Sequence, residues 1–169
     1  MATTGSRPVP QPVGPGRESV WDYPRPPRLE PVAQLVEVVL GGKVIARTRA
    51  AWRVLETSHP PNYYLPSEAF VAGSVEPAAG GSVCEWKGAA TYWTLRSGGS
   101  EAVAAAWSYE RPTAAFASIR GHLAVYAGKV DECRVDGQVV TPQPGGFYGG
   151  WITEAVAGPF KGVPGSQGW

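Results

Sequence analysis

Gln34–Leu40 reads QLVEVVL, Gly41 and Gly42 follow, and Lys43–Arg49 continues as KVIARTR. The pattern on both sides of the glycine pair is mostly period two, the period of a strand with one face turned to a core. Two glycines between such runs supply the positive-φ positions of a tight hairpin turn. The same grammar continues along the chain. Trp52–Thr57 (WRVLET) alternates again, and Pro60-Pro61 forces an extended or turning course before Tyr63 and Tyr64. Ser82–Leu95 and Glu101–Tyr109 read as strands across the turn Ser97-Gly98-Gly99-Ser100. His122–Ala127 and Cys133–Val140 supply the last strands, with GKVDE and Asp136-Gly137 as turns. EAVAAAW has helix-forming alanines, but Trp107 and Tyr109 fall at strand spacing. One short helix is expected within Pro112–Arg120. Regular turns without long helical periods predict an all-β fold, a compact small barrel or two packed antiparallel sheets, with at most one or two short helices.

The composition changes along the 169 residues. Residues 1–17 hold Pro, Gly, Val and small polar groups with little to bury, the composition of a disordered N-terminal tail. Residues 18–33 include ESVWDYPRPPRLEP, where prolines favour an extended arm and Trp21, Tyr23 and Leu29 offer rings and methyls to pack on the core. The β core is expected over 34–141. Residues 142–169 form a second Gly- and aromatic-rich arm with Phe147, Tyr148, Trp151, Phe160 and Trp169. Two such arms would cover one another or a partner copy in a homodimer.

Net charge is +1, with eleven Arg and four Lys scattered among fourteen acids, so no basic stripe points to nucleic acid. No run of about 18 apolar residues suits a membrane span, and the start lacks the order of a secretory signal, so a cytoplasmic location is expected. Cys84 and Cys133 are too few for a disulfide scaffold. Cys84, Cys133, His59 and His122 lack paired ligand spacing, so neither a metal nor another cofactor is expected. Ser58 adjoins His59, but no GxSxG elbow is present.

Three strings mix rings with reactive or charged groups: ETSHPPNYYLP (56–66), CEWKGAATYW (84–93) and AAWSYERP (105–112). Apolar walls around a few polar anchors are the usual lining of a small-molecule site. Read as one strand, the second string puts Cys84, Trp86, Gly88, Ala90 and Tyr92 on one face and Lys87 on the other, unless a bend at Gly88 turns Lys87 inward. Trp86, Tyr92, Trp107 and Tyr109 can stack on a planar ligand or fill a core. Tyr64 and Tyr126 can orient a ligand or brace a turn. Lys87 can contact an anion or pair with Glu56 or Glu110. Glu56 can act as acid or base or pair with an arginine, and His59 can shuttle protons or sit on an exposed loop. Cys84 can be a nucleophile or a small core hydrophobe.

GGKVIARTRAAWRVLET, HPPNYYLP, CEWKGAATYW, AAWSYERP and HLAVYAGKVDE together resemble a widespread bacterial and fungal family, domain of unknown function 427, over roughly Val36 to Val140. The resemblance implies a compact, mostly β domain, tent-like or barrel-like, with no agreed activity. The family is sometimes filed as nucleotidyltransferase-like, yet this chain has neither a Gly-Ser followed by an Asp-x-Asp pair nor a GxGxxG loop. Many members show Cys-Pro-Trp where Cys84-Glu85-Trp86 stands here. Two functions are expected from these residues. The first is a binding domain whose aromatic pocket takes a planar or nucleotide-like small molecule. The second is an enzyme on a small metabolite, with Glu56 as general base and Cys84 as nucleophile.

Overall fold

A computed structural model describes residues 7–169. Residues 1–6, the start of the expected tail, lie outside the described residues. The first half contains β1 (Glu18–Ser19), β2 (Arg28–Val32), β3 (Val36–Leu40), β4 (Lys43–Thr48), β5 (Ala51–Leu55) and β6 (Asn62–Tyr64). There follow β7 (Val75–Cys84), β8 (Gly88–Ser97), β9 (Ser100–Ser108), β10 (Leu123–Val125) and β11 (Glu132–Val135). The chain ends through β12 (Gln138–Val139), β13 (Thr141–Pro142), β14 (Trp151–Ile152) and β15 (Val156–Ala157). Helical structure among the described residues is confined to short 3-10 turns, one of them at Ala114–Ile119. The protein is all-β.

The hairpin read from the glycine pair is present. Gly41 and Gly42 have φ of 61° and 73° and join β3 to β4 with Leu40 opposite Lys43. All five residues of β3 are buried, although its sequence alternates, because β3 lies between β11 and β4 and is covered on both faces. Even Glu37 is buried, with Arg47 Nε 3.9 Å from its Oε2. Asp136 and Gly137, both at positive φ, turn β11 into β12.

Two four-stranded sheets, β12-β11-β3-β4 and β10-β9-β8-β7, make up most of the structure. A three-stranded sheet, β2-β5-β6, is tied to β10 by an isolated antiparallel bridge between Leu65 and Leu123. The sheets pack on one another and none closes into a barrel. Val36, Val38, Ile45 and Cys133 from one side meet Leu65, Leu95, Ala105 and Val125 from the other in the main core. Burial raises the Cys133 thiol well above its ordinary pKa and keeps it a small hydrophobe.

Three sequence readings need correction. Ser82–Leu95 is not one strand: the chain turns at Glu85-Trp86-Lys87, so β7 and β8 are the arms of a hairpin and the single parity does not hold. β7 also begins earlier, at Val75, where glycine and proline concealed the strand pattern. Arg28–Val32, read as extended arm, pairs with β5 along its whole length. Prolines fit there because β2 is an edge strand.

Both terminal segments fold onto the same face. β1 runs parallel to β15, and Trp21, Tyr23, Leu55 and Val156 form a core of their own. Trp21 and Trp169 meet edge to face at 5.7 Å between ring centroids. Trp151 goes further inward, stacking on Tyr63 at 5.1 Å and donating its Nε1 hydrogen to Val125 O at 2.8 Å. The terminal segments therefore supply core residues as well as cover.

Candidate functional site

A cavity of about 240 Å³ opens where β5 and β6, the β7–β8 turn, β9 and the segment before β14 converge. Nine of the residues singled out in the sequence line it: Glu56, His59, Cys84, Trp86, Lys87, Tyr92, Trp107, Tyr109 and Tyr126. Tyr64 does not. It lies fully buried beneath, its hydroxyl 3.4 Å from the Trp107 Nε1 donor and its ring 6.3 Å from that of Tyr109. The walls and the solid interior are continuous, since Trp107 and Tyr109 belong to the same buried cluster as Val54, Phe116 and Ile119.

The β7–β8 turn decides the chemistry. Gly88 has a φ of 110°, and Thr113 straps the turn by donating its N–H to Lys87 O at 3.1 Å and its Oγ1 hydrogen to Trp86 O at 2.6 Å. Lys87 is thereby swung inside and is only 5% exposed. Its Nζ stands 5.7 Å from the Tyr109 ring centroid and 6.0 Å from that of Phe116, within reach of a weak cation–π attraction. Among the described residues Nζ makes no hydrogen bond and has no carboxylate within 4.0 Å, and it is not sealed from solvent. The two acids weighed as its partners are engaged elsewhere. Glu110 Oε1 accepts from Ser108 Oγ at 2.6 Å, and Glu56 Oε2 lies 3.4 Å from His59 Nε2 and 3.7 Å from Arg25 Nε.

Glu56 and His59 form a defined array. Gln143 fixes it: its Oε1 accepts from Gly150 N–H at 3.0 Å, and its Nε2 donates to Lys161 O at 2.9 Å and faces His59 Nδ1 at 3.0 Å. An amide nitrogen has only hydrogens to offer, so Nδ1 is the acceptor and Nε2 carries the imidazole hydrogen toward Glu56. Burial raises the Glu56 pKa, but the hydrogen bond and electrostatic attraction of His59, followed by the positive charges of Lys87 and Arg25, outweigh it and hold the carboxyl below its ordinary range. Burial likewise raises Tyr109, and it raises Tyr126 to about 12, so both phenols stay protonated at neutral pH. Tyr92 donates to Ser82 Oγ at 2.9 Å, which orients its ring on the wall. Cys84 is a free, half-buried thiol on the same wall.

Several lining or supporting residues escaped the sequence reading. Asn62 lies inside an already quoted string but was passed over for its aromatic neighbours; its Oδ1 is buried without a hydrogen-bond partner. Phe147 and Tyr148 close the mouth, Tyr148 meeting His59 edge to face at 4.6 Å and Tyr126 donating its hydroxyl hydrogen to Phe147 O at 2.9 Å. Gly149 explains how the segment comes so close: a Cβ there would stand 2.5 Å from Trp107 Cη2. The FYGGW run contained this signal, two rings beside two glycines, but nothing in it names the surface they cover. Arg25 and Gln143 carried no signal at all. Among the described residues no cluster of three or more His, Cys, Asp or Glu is placed to hold a metal ion. No described helix is long and apolar enough to cross a membrane.

Packed open sheets, with an aromatic cavity capped by the chain's own C-terminal segment, define an all-β pocket domain. The chain belongs to the family described as Domain of unknown function (DUF427), whose model matches residues 28–136, from the start of β2 to the β11–β12 turn. Glu56, Lys87 and the aromatic walls lie inside that match; Gln143, Phe147 and Tyr148 lie beyond it. No curated protein matches the chain.

Proposed function

We propose that the protein binds a small planar molecule in the aromatic cavity, in the cytoplasm. The observation that carries this reading is Lys87, a buried ammonium facing a ring-walled hollow with no partner of its own. An ammonium can donate to three acceptors and this one finds none in the protein, so the hollow it opens onto favours a ligand that supplies them. The volume, about 240 Å³, falls below the roughly 300–1,000 Å³ typical of drug-sized sites, which favours an occupant of one or two rings over a whole nucleotide. Free cysteines are in keeping with a reducing compartment.

Catalysis by Glu56, His59 and Cys84 on a small metabolite is the second reading, supported by the oriented Glu56–His59–Gln143 array. Binding ranks first because a general base works best with a pKa near the operating pH, and Glu56 is displaced the other way.

Native mass spectrometry of freshly purified protein tests the proposal. A stoichiometric small mass is expected on the full chain and is expected to be lost from Trp86→Ala, a half-buried wall position, with circular dichroism unchanged. Trp107 is unsuitable for this purpose because it also belongs to the core. No retained mass on the full chain, together with no saturable binding of any ring compound, would remove the proposal. Steady consumption of the bound compound would put the catalytic reading first.

A further inference from the structure

The charges and hydrogen-bonding groups around the cavity specify more than a flat shape. Resting on the binding function proposed above, we propose that the ligand is a planar aromatic or heteroaromatic acid carrying a single negative charge, its carboxylate seated between Lys87 Nζ and the amide of Asn62.

Glu56, Glu85 and Lys87 are the lining residues with formal charge. Glu85 is exposed at the rim, and Glu56 makes its direct contacts with Arg25 and His59, with Lys87 acting on it only from beyond ion-pair distance. Lys87 is left as the one lining cation without a direct partner. One carboxylate balances it. A phosphate dianion would bring a second negative charge into a space with one ammonium and two carboxylates, where interaction energies between unit charges rise as water is excluded.

Hydrogen-bond polarity gives the second, independent constraint. The Asn62 side chain makes no hydrogen bond among the described residues, and its Oδ1 is sealed from solvent. With Oδ1 sealed, the accessible end of this lining amide in the rotamer adopted is Nδ2, which can only donate. Two unpartnered groups then face the same small space, an ammonium and an amide N–H, and both are donors. A group accepting at two oxygens matches them. A carboxylate does so with its charge, whereas a primary amide offers one oxygen and two hydrogens of the wrong polarity. Trp86, Tyr92, Trp107 and Tyr109 provide the flat apolar surfaces for the ring.

Isothermal titration of the full chain with benzoate, nicotinate and indole-3-carboxylate tests this, each acid paired with its primary amide, and phenyl phosphate as the dianion. At least one acid is expected to bind saturably, about tenfold or more tighter than its own amide and than phenyl phosphate, a difference of about 1.4 kcal/mol. Lys87→Met keeps the length of the side chain and removes the charge, so it is expected to abolish the preference for acid over amide. Its thermal midpoint should be no lower than wild type, because a buried unpaired charge is lost. Asn62→Leu should weaken acid binding severalfold and leave amide binding less affected. Equal binding of acids and amides to the wild type, or a preference that survives in Lys87→Met, overturns the carboxylate assignment while leaving a ring-binding pocket standing. Binding by neither acids nor amides, with no co-purifying mass, defeats both that assignment and the binding function.

Discussion

Glu56 and Lys87 share a cavity and are treated differently by the fold. Glu56 is held directly by His59 and Arg25, whereas Lys87 touches only rings and the hollow and acts on Glu56 from a distance. Because the Glu56 pKa is lowered in the folded state, its ionised form stabilises the protein fully above the unfolded-state value. That contribution is lost as pH falls through the folded value. Thermal midpoints measured from pH 6 down to pH 3 should therefore decline less steeply for Glu56→Gln than for the wild type at the acid end. Parallel curves would mean that the His59 and Arg25 contacts do not set the ionisation of this carboxyl.

At the scale of elements, the site depends on two backbone devices flanking the aromatic walls. One is the β7–β8 turn, where positive φ at Gly88 and the Thr113 strap invert the direction of Lys87. The other is the approach of the C-terminal segment over Trp107. Gly149 has a φ of 73° and no room for a Cβ, which would lie 2.5 Å from Trp107 Cη2 and 3.0 Å from Tyr126 Cδ1. Gly149→Ala should cost about 1–3 kcal/mol and lift Phe147 and Tyr148 from the mouth. Hydrogen exchange of residues 145–150 would report it as faster exchange there, with the rates of β8 and β9 unchanged. Protection that stays at wild-type levels would show that the closure does not need the glycine.

Across the whole molecule, the segments outside the regular core are part of its stability. Trp151 is 1% exposed within the main core, and replacing such a side chain typically costs about 3–5 kcal/mol, against a total stability of about 5–15 kcal/mol for a domain. A chain ending at Val140 would lose Trp151, Val156 and Gln143 together. Cooperative thermal unfolding is expected to be absent or shifted far down in that shorter chain. A transition matching the full chain's would show that residues 1–140 fold without the C-terminal segment.

Much of this architecture was legible in the residues. Glycine pairs between alternating runs gave the β3–β4 hairpin, and Asp136-Gly137 gave the β11–β12 turn, because tight turns place strict local demands on φ. The three aromatic strings held eleven of the cavity's lining residues for a similar reason: rings beside charged groups are rare unless a surface between water and core needs both. Strand edges were harder. β2 and the first half of β7 hid behind prolines and glycines, since an edge strand is defined by the neighbour it finds and not by its own periodicity.

The sequence by itself determined an all-β chain, its tight turns and which rings and charges were available for a pocket, because turn geometry and alternation are properties of residues close together. Only the tertiary structure decided that Lys87 points inward without a partner, that Gln143 orients His59 across 84 positions, and that Phe147 and Tyr148 close the mouth. Those outcomes depend on contacts between segments far apart in the chain, and local composition places no constraint on which distant surface a segment will meet.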